Sequence, residues 1–175
     1  MLKLISCLLL FIMLMGCAGL MPASAGQVTI KKSEVTNHKI ISAEGGELSG
    51  KYASLFKLGL WKTNNMPDSQ VYINAIIGIC SYQMPNKLIF KIDGELIELN
   101  SSGNSNCRTV GYGAGVHNES NQLFLTTINF LKKLINANDV FVKWGPAEGG
   151  FSKETMYSAK KGFKNFLAKL PEYNQ

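Results

Sequence analysis

Two histidines, one H-x-E spacing, a glycine-rich run and four cysteines are where this 175-residue chain could do chemistry. His117 and Glu119 offer a metal-binding imidazole and an acid–base carboxylate two residues apart. The P-C-x-x-C segment that completes such a zinc site is missing. His38 and His117 are the only imidazoles, and their spacing does not suit a shared metal. Acyl transfer needs a nucleophile, a base and an orienting group, and neither histidine lies in a G-x-S-x-G-like setting. Gly111-Tyr112-Gly113-Ala114-Gly115 has the composition of a phosphate loop. It lacks the lysine–hydroxyl ending of a P-loop, and its third glycine is misplaced for a dinucleotide fingerprint; it reads as a surface loop. Paired carboxylates for glycoside cleavage are poorly supplied, because acids are few and Asp93 and Glu154 have structural uses. Tyr112, Trp61 and Trp144 read as core or edge residues. No catalytic, cofactor-binding or metal-ligating residue is assigned.

The cysteines carry more. Lys3 is followed by an apolar stretch over residues 4–15, interrupted by Ser6, and then by Leu14-Met15-Gly16-Cys17. A positive start, a short apolar core and small residues at a cut make a secretory signal. The stretch is too short for a spanning helix, which needs about 20 residues. Leu14-Met15-Gly16-Cys17 resembles the lipobox of bacterial lipoproteins. The resemblance covers only the first 18 residues or so. It implies a diacylglyceryl group on the Cys17 thiol and cleavage just before it. With Ala18 and not an aspartate next, it also implies the outer membrane. Ala23-Ser24-Ala25 offers a competing cut before Gly26, which would release a soluble periplasmic or secreted protein. Cys7 lies inside the apolar stretch and is assigned no role. Two acyl chains hold firmly where one holds marginally, at about 0.8 kcal/mol per buried CH2. Residues 18–26 would then be a tether reaching at most about 30 Å.

Cys80 and Cys107 are the cysteines left after the anchor. An even pair in an exported protein reads as a disulfide. Closing a loop of about 28 residues would contribute roughly 3.5 kcal/mol in the chain-entropy model.

Removing residues 1–16 leaves one domain's worth of chain, residues 27–175 following a short lipidated segment at 17–26. Loss of Lys3 leaves 17 basic and 12 acidic residues, a formal charge of +5. Arg108 is the sole arginine. Arginine suits bidentate phosphate recognition, so a lysine excess reads as a solvated surface, with contact to an anionic headgroup or polyanion as the sharper alternative, and the location outside the cytoplasm argues against nucleic acid as a partner.

The elements follow from periodicity. Residues 27–31 alternate weakly and predict a short strand. Residues 35–50 read as a polar loop with an extended piece, and residues 51–62 as a strand. Over residues 71–80, Val71, Ile73, Ala75, Ile77 and Ile79 share one face. Asp93-Gly94 predicts a type I′ hairpin, with Phe90 opposite Ile97 and Leu88 opposite Leu99. Residues 107–112 and 122–125 read as further strands. Thr126 or Thr127 caps a helix to about Asn136, with Leu131, Leu134 and Ile135 on its buried side. Residues 139–144 form a strand. Ser152 caps a last helix that Pro171 stops. Its apolar stripe is Met156, Ala159, Phe163, Phe166, Leu167 and Leu170, and Lys160, Lys161, Lys164 and Lys169 lie on other faces. The order predicts an α+β domain, a mostly antiparallel β-sheet with two helices near the C-terminus packed on one face.

These readings point to a membrane-anchored envelope lipoprotein acting as a non-enzymatic accessory or interaction domain. Its partners would be the lipid bilayer, through acylated Cys17, and an envelope protein or polymer, with no cofactor. An inhibitor or immunity protein against an envelope-directed enzyme is the alternative. A hydrolase of scattered residues is a third.

Overall fold

Short runs of alternating apolar residues give most of the chain to strands. The computed structural model describes residues 26–34, 38–48, 56–80, 83–112, 115–152 and 158–174. In chain order they form β1 (Val28–Lys32), β2 (Lys39–Glu47), β3 (Phe56–Thr63), β4 (Gln70–Ile77), β5 (Lys87–Ile92), β6 (Glu95–Asn100), β7 (Asn106–Tyr112) and β8 (Gly115–Thr127). Then come α1 (Ile128–Asn136), β9 (Asp139–Trp144), β10 (Ala147–Ser152) and α2 (Ser158–Tyr173). Every strand pairing among them is antiparallel. The expected mostly antiparallel structure with two helices is present, and the second helix is at the C-terminus.

The strands form two sheets. The first runs β1-β2-β3-β4-β8-β7 and the second β10-β9-β5-β6. Strand β8 links them. Its first half pairs with β7 as far as Asn121. Beyond that point the same edge takes Ser101, at the end of β6, opposite Phe124. The Ser102 amide donates to the Leu123 carbonyl at 3.0 Å. Inner faces of both sheets meet in one core. Ile73 and Phe124 of the first sheet join Leu88, Phe90, Val142 and Trp144 of the second, all fully buried. Phe124 and Trp144 pack edge-to-face at 6.0 Å, a favoured aromatic geometry. The Trp144 indole N–H donates to the Pro85 carbonyl at 2.9 Å. Helix α2 lies along β2 and brings Phe163 edge-on to Phe151 of β10.

Three local expectations hold in detail. In the β5–β6 hairpin, Leu88 faces Leu99 and Phe90 faces Ile97. Asp93 and Gly94 have positive φ, 49° and 92°, as a type I′ turn needs. The Thr127 hydroxyl accepts from the Phe130 amide and caps α1, which buries Leu131 and Leu134. Strand β9 has the predicted bounds.

Other expectations need correction. Residues 39–47 are a full strand, not a loop. A register shift between Ala43 and Gly46 breaks the alternation that would have announced it. Gly59 lies against that irregularity, where a Cβ would come within 2.9 Å of the Ala43 carbonyl oxygen. Strand β3 starts at Phe56, and residues 51–55 lie outside the described chain. Strand β4 ends at Ile77, so Ile79 leaves the buried face and is exposed. Strand β8 has 13 residues, not four, because β7 pairs along its polar first half from Gly115 to Asn121. Ser152 closes β10, and the residues that would show it capping a helix, 153–157, lie outside the described residues. Strand β10 is poor in β-branched residues and forms by pairing along the whole of β9. Helix α2 runs past Pro171 to Tyr173. Tyr173 is buried, its hydroxyl donates to the Lys39 carbonyl at 3.1 Å, and the Lys39 ammonium donates to the Tyr173 carbonyl at 2.6 Å. Lys160 is buried, not on a solvated face. Its ammonium donates to the Ser152 carbonyl at 3.2 Å and sits 5.9 Å from the Phe151 ring centre. Glu154 and Met156 lie outside the described residues.

Candidate interaction surface

Cys80 and Cys107 form a disulfide, with Cα atoms 5.3 Å apart. Cys107 belongs to β7 and pairs with Ser120 of β8, which in turn faces Ile77 of β4. The bond therefore closes a path across three adjoining segments and pins edge strand β7 to the chain leaving β4. Cys17 and its neighbours lie outside the described residues, as does Cys7.

The two histidines do not meet. His38 precedes β2, and its Nε2 is 3.0 Å from the side-chain amide nitrogen of Asn65, which donates to it. It stands at the end of the sheet where β8 finishes, as the register of Ile40 with Thr63 and of Trp61 with Tyr72 and Leu125 requires. His117 pairs with Val110 eight residues before Leu125, about 26 Å back along β8. Glu119 is not poised for proton transfer beside it. Its carboxylate is 3% exposed and accepts from Arg108 Nε at 2.6 Å, with Arg108 Nη2 on the same oxygen. Gly111, Tyr112 and Gly115 belong to the β7–β8 hairpin, with Tyr112 opposite Gly115, so the glycine run joins strand to strand. Among the described residues no group of three or more His, Cys, Asp or Glu could hold a metal ion. Asp93 is structural: its Oδ1 accepts from the amides of Asn138 at 3.0 Å and Asp139 at 2.9 Å. Trp144 is core.

Trp61 and Tyr72 face outward. Register aligns Thr29, Ser42, Trp61, Tyr72 and Leu125 in one row across five strands of the first sheet. The Thr29 and Ser42 hydroxyls are 3.0 Å apart. The Trp61 and Tyr72 rings lie 5.6 Å centre to centre, and Leu125 closes the row at 40% exposure. The outer face of the second sheet has its own apolar pair. Lys91 stands opposite both Leu96 and Phe141, which are 69% and 41% exposed. Flat outer faces of this kind can bind a partner through apolar area and aromatic edges, with lysines to orient it.

Lys62 escaped the sequence reading altogether. It is fully buried on the inward side of β3, and its ammonium donates to the carbonyls of Pro67 at 2.7 Å and Gln70 at 3.0 Å. Burial lowers its pKa from the ordinary lysine value, while Asp68 nearby acts to raise it. No signal in the sequence separates this lysine from its solvated neighbours, because its acceptors are backbone carbonyls of the next turn.

No family model matches the chain, and comparison with curated proteins and with solved structures returned no match.

Proposed function

We propose that the chain is an exported bacterial lipoprotein of the outer membrane, cut before Cys17 and held by acyl chains on that thiol. Its body would be a non-enzymatic accessory or interaction domain, with both helices covering one face of its sheet. The observation that carries the reading is the pairing of two cysteine chemistries. Leu14-Met15-Gly16-Cys17 follows an apolar leader, and Cys80 and Cys107 are disulfide-bonded. Disulfides persist in oxidising compartments outside the cytoplasm. The outward row through Trp61 and Tyr72 offers the contact surface that an envelope protein or polymer would use.

A second reading, an inhibitor or immunity protein, is favoured by Leu96 and Phe141 projecting on either side of Lys91. A partner's cleft would cover that triplet. The two readings separate by capture of crosslinked partners from membranes, comparing Leu96→Asp with Trp61→Ala.

The test of the anchor is fractionation with acyl labelling. Cys17→Ala should abolish labelling and move the protein from the membrane to the soluble fraction. Membrane retention without acylation would refute the anchor. The non-enzymatic part is tested by replacing His38 and His117 with glutamine, which should leave complementation of a deletion strain intact.

A further inference from the structure

Charge is distributed unevenly over the body. Along β1, β2 and α2, with their described flanks, stand Lys31, Lys32, Lys39, Lys160, Lys161, Lys164 and Lys169 against Glu34, Glu44, Glu47 and Glu172: seven lysines to four glutamates, with Lys160 buried. The second sheet is the reverse. Its strands and hairpin turn carry Lys87, Lys91 and Lys143 against Asp93, Glu95, Glu98, Asp139 and Glu148. A domain with mixed solvated charges has no need of such a separation.

The chain enters the body on the basic side. The carbonyl of Gly26 accepts from the Asn165 side-chain amide of α2 at 3.0 Å. Gly162, one turn earlier on α2, packs so close to Gly26 that a Cβ would lie 3.3 Å from its Cα. Gly26 is thus fixed against the helix. The exposed stripe of α2 beside it is Lys161, Lys164 and Ala168, the i, i+3, i+7 positions of one face. Neither Lys161 nor Lys164 pairs with an acid among the described residues, whereas Lys169 is tied to Glu172.

We infer that this face docks on anionic phospholipid headgroups of the leaflet that holds the anchor. The inference rests on the lipoprotein reading. A tether from Cys17 to Gly26 spans at most about 30 Å, and it leaves the body within one helical turn of Lys161 and Lys164. Their ammonium groups can therefore reach the surface to which the tether is attached. Lys32, exposed on neighbouring β1 and on the side of the sheet that α2 covers, extends the same basic face, whereas Lys31 points to the other side. Attraction of such lysines to an anionic surface falls off within a Debye length, about 10 Å at 0.1 M salt, so it acts only on a body already held close.

The test uses the full acylated protein inserted into preformed vesicles and a water-soluble amine-modifying reagent, read residue by residue by mass spectrometry. In vesicles of phosphatidylglycerol and phosphatidylethanolamine at low salt, Lys161 and Lys164 should react several-fold more slowly than in phosphatidylcholine vesicles. High salt should abolish the difference. Lys91 and Lys143, on the second sheet, should react alike in both. Equal rates for Lys161 and Lys164 on acylated, vesicle-bound protein would overturn the docking and leave the anchor standing. Protein with an unmodified Cys17 thiol that does not bind vesicles would overturn both.

Discussion

Arg108 and Glu119 face each other across β7 and β8, and the guanidinium covers a carboxylate that is otherwise out of water. The pair is a lock on an edge hairpin, and it engages the Glu119 carboxylate two residues from His117. Arg108→Ala leaves that carboxylate buried without its donor and should cost about 1–3 kcal/mol in urea unfolding. Removing both partners should cost less than the two single losses added together. Strict additivity would mean the two side chains do not interact in solution.

The disulfide acts on the same hairpin one rung away, where Cys107 pairs with Ser120. Non-reducing peptide mapping should recover Cys80 linked to Cys107, and serine at either position should lower stability by roughly 3.5 kcal/mol. Two free thiols in protein purified from the envelope would contradict the bond.

Helix α2 separates core from surface at adjacent positions. Phe163 is fully buried against Phe151, so Phe163→Ala should cost about 3–5 kcal/mol. Lys161→Ala should change stability by less than about 0.5 kcal/mol. Lys160→Ala should fall between them, since it removes a buried donor to the Ser152 carbonyl. If the two lysine variants behave alike in thermal unfolding, the rotation of the helix is misassigned.

Lys62 should leave a signature at alkaline pH. Its folded pKa is lowered by burial, so above that value the unfolded chain binds more protons at this site. Stability contributed by Lys62 then rises with pH until the unfolded value of 10.5 is passed. Tyr173 works in the opposite sense, because burial raises its pKa and stability falls above the unfolded value of 10.0. Comparing the wild-type protein with Lys62→Met cancels the tyrosine. The stability difference should shift in favour of the wild type as pH rises from neutral, and a flat difference would show that the ammonium is not desolvated.

Legibility in the sequence followed the range of the forces involved. The hairpin at Asp93-Gly94, the Thr127 cap and β9 were readable, because turn stereochemistry, a side-chain cap and strict alternation are local. Strands β2 and β10 were not, because glycines and a register shift interrupt their pattern and their neighbours impose the extended form. The burial of Lys62 and Lys160 was hidden for a related reason: each ends on backbone carbonyls, which no side-chain pattern reveals. Cys80 and Cys107 could be paired by elimination. Trp61, Tyr72 and Leu125 could not be set in one row, since that needs the register of three strands separated by up to 64 positions in the chain.

The most direct test of the envelope-lipoprotein account is the mass of the N-terminal peptide from protein made in a bacterial host. The account predicts a chain that begins at Cys17 and carries acyl groups on its thiol. A chain that begins at Gly26, or that keeps Met1 with Cys17 unmodified, would contradict it.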